Sequence, residues 1–390
     1  MNTCIHSIQC IIPPHMQKNI AENGTAEQRE RAMNAIATSA SLRAQRVALT
    51  EMTSLVRPVV VGAKQRNIYN ANQGSGLPGV LVRSEGDPPT GDPAVDEAYD
   101  GSGATYDLYM EAYQRNSIDG NGMRLDSTVH YQVGYDNAFW NGRQMVYGDG
   151  DEDLPVSQRL FNRFTIALDV IGHELTHGVT QFEAALVYRD QPGALNESLS
   201  DVFGSLVKQR LRNQTAAQAD WIIGEGLLTS NVNGVGIRSM KAPGTAYDDP
   251  VLGKDPQPAH MNDYQNVDYD NGGVHINSGI PNHAFYVTAI EMGGYAWEKA
   301  GRIWYVTLRD RLSSTATFAD AAQQTYLVAG NLYGSGSLEQ QAVQAGWSAV
   351  GLPIDAGDGN GDGNGGDGQG CSTVLVQFLS TLRALIENRG

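Results

Sequence analysis

The stretch VIGHELTHGVT, residues 170–180, decides the reading of this chain. On a helix, positions four apart share a face, so His173 and His177 can offer their imidazoles to one metal ion, with Glu174 beside the first. The helix is apolar on more than one side, through Ile166, Val170, Ile171, Leu175 and Val179, and is expected to be buried. A buried His, Glu and His set without a cation would be costly, which favours a metal site over a chance pattern on a surface helix. Zinc then needs a third protein ligand. Downstream, GALNESLSD, residues 193–201, reads as a turn and a second helix with Glu197 and Asp201 again four apart. One of these carboxylates can bind the ion while the other fixes a ligand histidine from behind, and spacing leaves open which does which. Three protein ligands leave one position for water, whose pKa zinc lowers towards ~7, and Glu174 is placed to take its proton.

The composition fits such a site in a globular protein. The chain has 390 residues, more than one core usually supports, with 41 % hydrophobic and 18 % charged residues. A formal net charge of −16 argues against nucleic acid as a partner, because phosphate neutralisation needs clustered Lys and Arg. No apolar run approaches the roughly 20 residues of a membrane span. The opening MNTCIHSIQCIIPP lacks the basic and apolar regions of a Sec signal. Cys4, Cys10 and Cys371 all fall in the terminal segments, so the body is not a disulfide scaffold.

Outward from the central helix the pattern changes. Between about 55 and 150 it is mainly β: Val129, Tyr131, Val133 and Tyr135 alternate as in a strand, and Asn141-Gly142 stands between two apolar runs as in a tight hairpin. From about 156 to 350 it is helical, in RLFNRFTIALDVIGHELTHGVTQF, NESLSDVFGSLVKQRL and HAFYVTAIEMGG. Strands first and helices later predict an α+β protein of two lobes with its working cleft between them. Ahead of the body, Thr25-Ala26-Glu27-Gln28 matches a capping box opening a polar helix, preceded by CIIPPHM, whose prolines predict an extended arm suited to a groove. After Pro353 comes DAGDGNGDGNGGDGQG, a flexible linker by composition, and then a segment with Leu375, Phe378, Leu379, Leu382, Leu385 and Ile386 at helical spacing.

HELTH followed by GALNESLSD, with GGVHINSGIPNHAFY further on, resembles the thermolysin family of zinc metallopeptidases over roughly 55–350, and CIIPPHM with its short leader resembles the protealysin-like branch. The resemblance implies a two-lobed zincin fold and a neutral endopeptidase made as a zymogen. It implies a propeptide at 1–46 and catalytic lobes at 47–180 and 181–353; the linker at 354–370 and the helical tail at 371–390 are read from composition and spacing, and the tail departs from a family whose members often end near the equivalent of Pro353. It implies zinc on His173, His177 and Glu197, Asp201 orienting a ligand histidine, and Glu174 as general base. His275, held by Asp270, and Tyr188 would stabilise the oxyanion. Asn137 and Ala138 would bind substrate backbone as an added strand, and Arg238 would grip a carbonyl next to the scissile bond. Phe161, Val170 and Ile237 would line an S1′ pocket for bulky hydrophobic residues.

Some features depart from the family. At the positions of a structural calcium site, Asp169, Asp220 and Glu225 stand, but two further acidic ligands are replaced by Lys208 and Ile222. A lysine repels the ion, so Ca²⁺ is expected to be absent or reduced, with the Lys208 ammonium in its place. Cys4 or Cys10 is a candidate thiolate ligand in the precursor. The expected partners are protein or peptide substrates and the chain's own propeptide, with the protein a monomer, secreted by a route other than Sec or retained in the cytoplasm. A zinc-holding module that binds peptides without turnover is the alternative; it predicts loss of a catalytic group, whereas Glu174, Tyr188 and His275 are all present.

Overall fold

The computed structural model describes residues 9–50 and 63–354, without side chains at Gln9 and over 41–50. The linker, the tail, Cys4 and Cys371 lie outside the described residues. The described residues form one compact unit.

The N-terminal segment is a short strand β1 (Gln9–Cys10) and two helices, α1 (Pro14–Asn23) and α2 (Ala26–Thr50). The arm is extended only as far as Pro13, because Pro14 opens α1, where its fixed φ and missing N–H suit a first helical position. The capping box is formed: the Gln28 amide donates to Thr25 Oγ1 at 3.3 Å, and Thr25 N–H donates to Gln28 Oε1 at 2.8 Å.

A six-stranded sheet follows, built from β1, β2 (Arg66–Asn70), β3 (Val80–Ser84), β4 (Leu125–Val129), β5 (Ala138–Trp140) and β6 (Met145–Tyr147), in the order β1-β5-β6-β4-β2-β3. The sheet is mixed, with β2–β4 and β4–β6 parallel and the other pairs antiparallel. Its outermost strand at one end is thus supplied by the N-terminal segment. Helix α3 (Pro93–Asp107), capped by Asp92, packs between the sheet and the helix that carries His173 and His177.

Two strand expectations change. Asn141-Gly142 does join β5 to β6, but through a four-residue loop closed by Asn141 N–H to Gln144 O at 3.2 Å. The alternation at 129–135 is not a strand: β4 ends at Val129, and His130, Gln132 and Gly134 take positive φ of 55°, 56° and 58°. Tyr131 and Tyr135 still turn inward, onto Phe139, but Val133 is exposed, so the two-residue period of burial was lost once the backbone left the sheet.

The second lobe carries α4 (Leu168–Phe182), α5 (Asp190–Leu211), the short strands β7 (Ile222–Ile223) and β8 (Arg238–Ser239), then α6 (Asp270–Asn277), α7 (Gly279–Met292), α8 (Ala300–Asp310), α9 (Phe318–Tyr333) and α10 (Leu338–Ala349). Val170, Ile171, Leu175 and Val179 of α4 are buried; Ile166 is not, since it precedes the helix in a 3-10 turn. No described helix is long and apolar enough to cross a membrane.

Candidate active site

The site is made by the crossing of α4 and α5, and two glycines set how closely they approach. A Cβ on Gly204 would lie 2.4 Å from the Asp169 carbonyl oxygen and 2.9 Å from the His173 nitrogen, and one on Gly172 would lie 2.9 Å from Gly204 Cα. With both side chains absent, His173 and His177 face Glu197 and Asp201, all of them buried.

The Nδ1 atoms of the histidines face away from each other: that of His173 bonds Asp201 Oδ1 at 2.7 Å, and that of His177 bonds Asn196 Oδ1 at 2.8 Å and Ser200 Oγ at 2.9 Å. This leaves the Nε2 atoms facing each other, 2.9 Å apart. Glu197 sends Oε2 to 3.5 Å from His173 Nε2 and Oε1 to 3.5 Å from His177 Nε2. Glu197 Oε2 has no hydrogen-bond partner. Two imidazole nitrogens and a carboxylate converging in a buried spot fit tetrahedral zinc, whose ligand atoms sit roughly 3.3 Å apart. His173, His177 and Glu197 are the one such group of possible metal ligands among the described residues.

Asp201 lies behind this set. Burial would push its pKa up, but the Arg238 guanidinium and His173 outweigh that and hold it below the usual carboxylate range. Arg238 grips it through Nε to Oδ2 and Nη2 to Oδ1, both at 2.8 Å, and Asn282 donates to Oδ2 at 2.8 Å. Glu174, one residue past His173, is fully buried, and burial, then Glu197, raises its pKa well above the ordinary value. Its Oε2 accepts the Trp140 N–H at 3.0 Å, which ties it to β5.

The non-helical first turn of α6 brings in the remaining groups. Asp270, Asn271, Gly272 and Gly273 have φ of 51°, 51°, 83° and 75°, a left-handed run that Asn and Gly adopt at low cost. It turns Asp270 back onto His275, with Oδ1 2.6 Å from Nδ1 and Oδ2 accepting the His275 N–H at 2.9 Å. Burial opposes the imidazolium, yet Asp270 and Glu197 raise the His275 pKa to about 9. The Tyr188 hydroxyl donates to Glu197 and lies 3.2 Å from His275 Nε2.

The cleft is filled by the chain's own N-terminal segment. Cys10 pairs with Phe139 and Gln9 with Trp140, antiparallel, along the edge of β5. His275 Nε2 lies 3.1 Å from the Cys10 carbonyl oxygen. Ile11 donates its N–H to Ala138 O at 3.3 Å, and its carbonyl accepts from Arg238 Nη1 at 3.2 Å. Ile12 N–H donates to Asn137 Oδ1 at 3.1 Å. Ile11 and Ile12 are buried in one apolar cluster with Phe161, Val170 and Ile237.

All the site residues expected from the sequence therefore meet in one place, and Asn196, Ser200, Asn282 and the Trp140 amide join them unforeseen. Polar residues on the buried faces of α5 and α7 were the only signal for the side chains. The Cys10 thiolate expectation is overturned. Its carbonyl, not its sulfur, enters the cleft; Sγ lies 3.7 Å from Ser39 Oγ in a cluster with Tyr131, Tyr135 and Phe139. Strand alternation aims it there.

Beside α4, the Lys208 Nζ lies 2.8 Å from Asp169 Oδ2, 2.8 Å from Asp220 Oδ1 and 3.8 Å from Glu225 Oε2, and donates to Ile222 O at 2.6 Å. Burial opposes its charge, but Asp169 and Asp220 raise its pKa above the ordinary lysine value.

Comparison with known proteins places these features in a family. Residues 33–181 match the thermolysin metallopeptidase catalytic domain, and residues 184–352 match the thermolysin metallopeptidase alpha-helical domain. An extracellular metalloprotease of Pectobacterium carotovorum is 52 % identical over 345 residues, covering 88 % of this chain and 96 % of that protein. Protease PrtS of a Photorhabdus species is 48 % identical over 353 residues, covering 89 % and 93 %. The solved precursor of protealysin, a metalloproteinase from Serratia proteamaculans, superposes with a TM-score of 0.79 at 52 % identity, covering 88 % of this chain and 99 % of that one.

Proposed function

The chain belongs to the thermolysin metallopeptidase family, in its protealysin-like branch, and from that premise we propose what each part of its site does. It is a zinc-dependent endopeptidase of the thermolysin type, made as a zymogen. Zinc, held by His173, His177 and Glu197, supplies a Lewis acid that lowers the pKa of water. In our reading Glu174 takes the proton of that water and hands it to the leaving amine. The raised pKa of Glu174 suits both steps, because the group must accept a proton and then release it. Tyr188 and the imidazolium of His275 donate to the substrate carbonyl oxygen as negative charge grows there. Asp270 holds His275 charged and aimed, and Asp201 fixes the tautomer of His173.

The observation that carries this reading is the course of residues 10–12. Their backbone hydrogen bonds are those an extended substrate would make: the Cys10 carbonyl at His275, the Ile11 amide at Ala138, the Ile11 carbonyl at Arg238 and the Ile12 amide at Asn137. On that register Cys10 takes the place of the residue before the cut and Ile11 that of the residue after it. Phe161, Val170 and Ile237 then favour bulky hydrophobic residues just after the scissile bond. Residues 1–46 act as an intramolecular inhibitor, removed on maturation to leave lobes 47–180 and 181–353, with 354–370 as linker and 371–390 as a helical tail. Lys208 supplies the positive charge that calcium supplies elsewhere in the family. The names of the relatives support secretion.

Incubating purified wild type and Glu174→Ala with casein, and following N-terminal trimming by mass spectrometry, tests the central assignment. Wild type is expected to do both; casein cleavage that persists in the variant would overturn Glu174 as the base.

A further inference from the structure

A second buried site lies against the cleft, and the N-terminal segment fills it too. Asp151 is 0 % and Asp136 6 % exposed, and Asp153 closes the group at the surface. Arg31 of α2, itself 7 % exposed, enters it, donating from Nη1 to Asp153 Oδ1 and from Nη2 to Asp153 Oδ2, both at 2.8 Å. Its Nη1 stands 3.5 Å from Asp151 Oδ1. Gly134 makes room for it: a Cβ there would lie 2.4 Å from Nη1. Asp136 keeps a buried Oδ1 with no hydrogen-bond partner. Burial and Asp151 push its pKa well up, and the Arg31 charge opposes them.

The site is built on the elements that bind the substrate-like segment. Asp136 immediately precedes Asn137, which receives the Ile12 amide. Asp151 Oδ2 accepts the N–H groups of Leu160 at 2.7 Å and Phe161 at 3.1 Å, the second being the proposed pocket wall. In the antiparallel register of Cys10 on Phe139, the residue after Ile12 comes level with Asp136. Beyond Gly134 and Asp153 an open pocket of about 350 Å³ continues towards Asp149 and Glu152 and gives a way in. When the N-terminal segment leaves, Arg31 goes with it, and buried carboxylates lose their counter-charge. A cation of the same planar shape would restore the paired bonds to Asp153 and the contact with Asp151.

We propose that Asp136, Asp151 and Asp153 form a substrate subsite for a guanidinium, on the leaving-group side of the cut at the third or fourth residue after the scissile bond, and that Arg31 occupies it in the precursor as a stand-in. This rests on the peptidase reading above. The paired bonds to Asp153 and the glycine-cleared entrance select a planar fork over a lysine ammonium.

The test uses mature wild type and Asp153→Asn with fluorogenic peptides that share one cleavage bond and carry Arg, Lys, Ala or Glu at the third or the fourth residue after it, with and without millimolar calcium. The expected kcat/KM is about ten-fold higher for Arg than for Ala at one of these positions in the wild type, and the Arg-to-Ala ratio falls to parity within Asp153→Asn. Parity in the wild type, or an Arg preference that Asp153→Asn retains, overturns the proposal. So does a preference that calcium abolishes, since the site would then hold a divalent ion. An uncut Ala peptide is instead a failure of the peptidase reading. In that case binding decides: a labelled peptide of residues 9–40 should bind the mature protein about ten-fold more tightly than its Arg31→Ala version, and equal binding overturns the subsite.

Discussion

Glu174 and His130 show how a single residue's surroundings set its task. Glu174 is surrounded by apolar groups and the carboxylate of Glu197, so it holds a proton more readily than an exposed glutamate. Glu174→Gln keeps the shape and the Trp140 bond but cannot accept a proton. It is expected to lower kcat by at least about 10³-fold while elemental analysis still finds stoichiometric zinc. His130 is structural: Nδ1 lies 2.8 Å from Asp149 and Nε2 2.9 Å from Asp92, the cap of α3. The Asp149 hydrogen bond chiefly, against partial burial, raises its pKa from 6.5 to about 9. A raised folded-state pKa stabilises fully below the unfolded value and ceases to do so as pH rises through the folded one. His130→Asn keeps the left-handed backbone accessible, and should cost on the order of 1–2 kcal/mol at pH 6. Thermal melts from pH 6 to 10 should show that deficit vanish above about 9; a constant deficit would sink the ion-pair account.

At the scale of elements, the metal ligands depend on how α4 lies on α5. Gly204→Ala places a methyl against the backbone of Asp169 and His173, so the helices must separate. Overpacking of this kind costs about 1–3 kcal/mol or more, and moving Glu197 away from the histidines should weaken zinc affinity as well. Competition with a chromophoric chelator measures that loss. Lys208 joins α5 to the start of α4 and to β7. Lys208→Ala leaves Asp169 buried and unpaired, for an expected loss of about 3–5 kcal/mol in a melt. In the wild type, chelating calcium with zinc kept supplied should leave the melting temperature unchanged.

At the scale of the whole molecule, the N-terminal segment is held at two places, as β1 on the edge of β5 and as Arg31 in the carboxylate site beside the cleft. Burial of Ile11 and Ile12 adds apolar area to the first contact. Replacing Ile11 with Asp puts a charge where an apolar side chain was enclosed. In a precursor also carrying an uncleavable maturation site, it should raise activity on a small peptide at least about ten-fold over the parent precursor. Equal activity of the two would mean that the latch is elsewhere.

The sequence alone determined the helix of His173 and His177, the second carboxylate-bearing helix, the capping box of α2 and the β-then-α order, because each is written in spacing or residue type over a few turns. Resemblance supplied the partners of His275 and the order of Glu197 and Asp201, which local spacing left open. Tertiary structure decided the rest. Whether an alternating run such as 129–135 is a strand depends on the neighbours that pair with it, and here left-handed residues took it out of the sheet. Which side of Cys10 enters the cleft depends on the register of β1 on β5. The meeting of Arg31 with Asp151 and Asp153, 120 residues and more away along the chain, is set by the packing of separate elements, and no local pattern encodes such a distance.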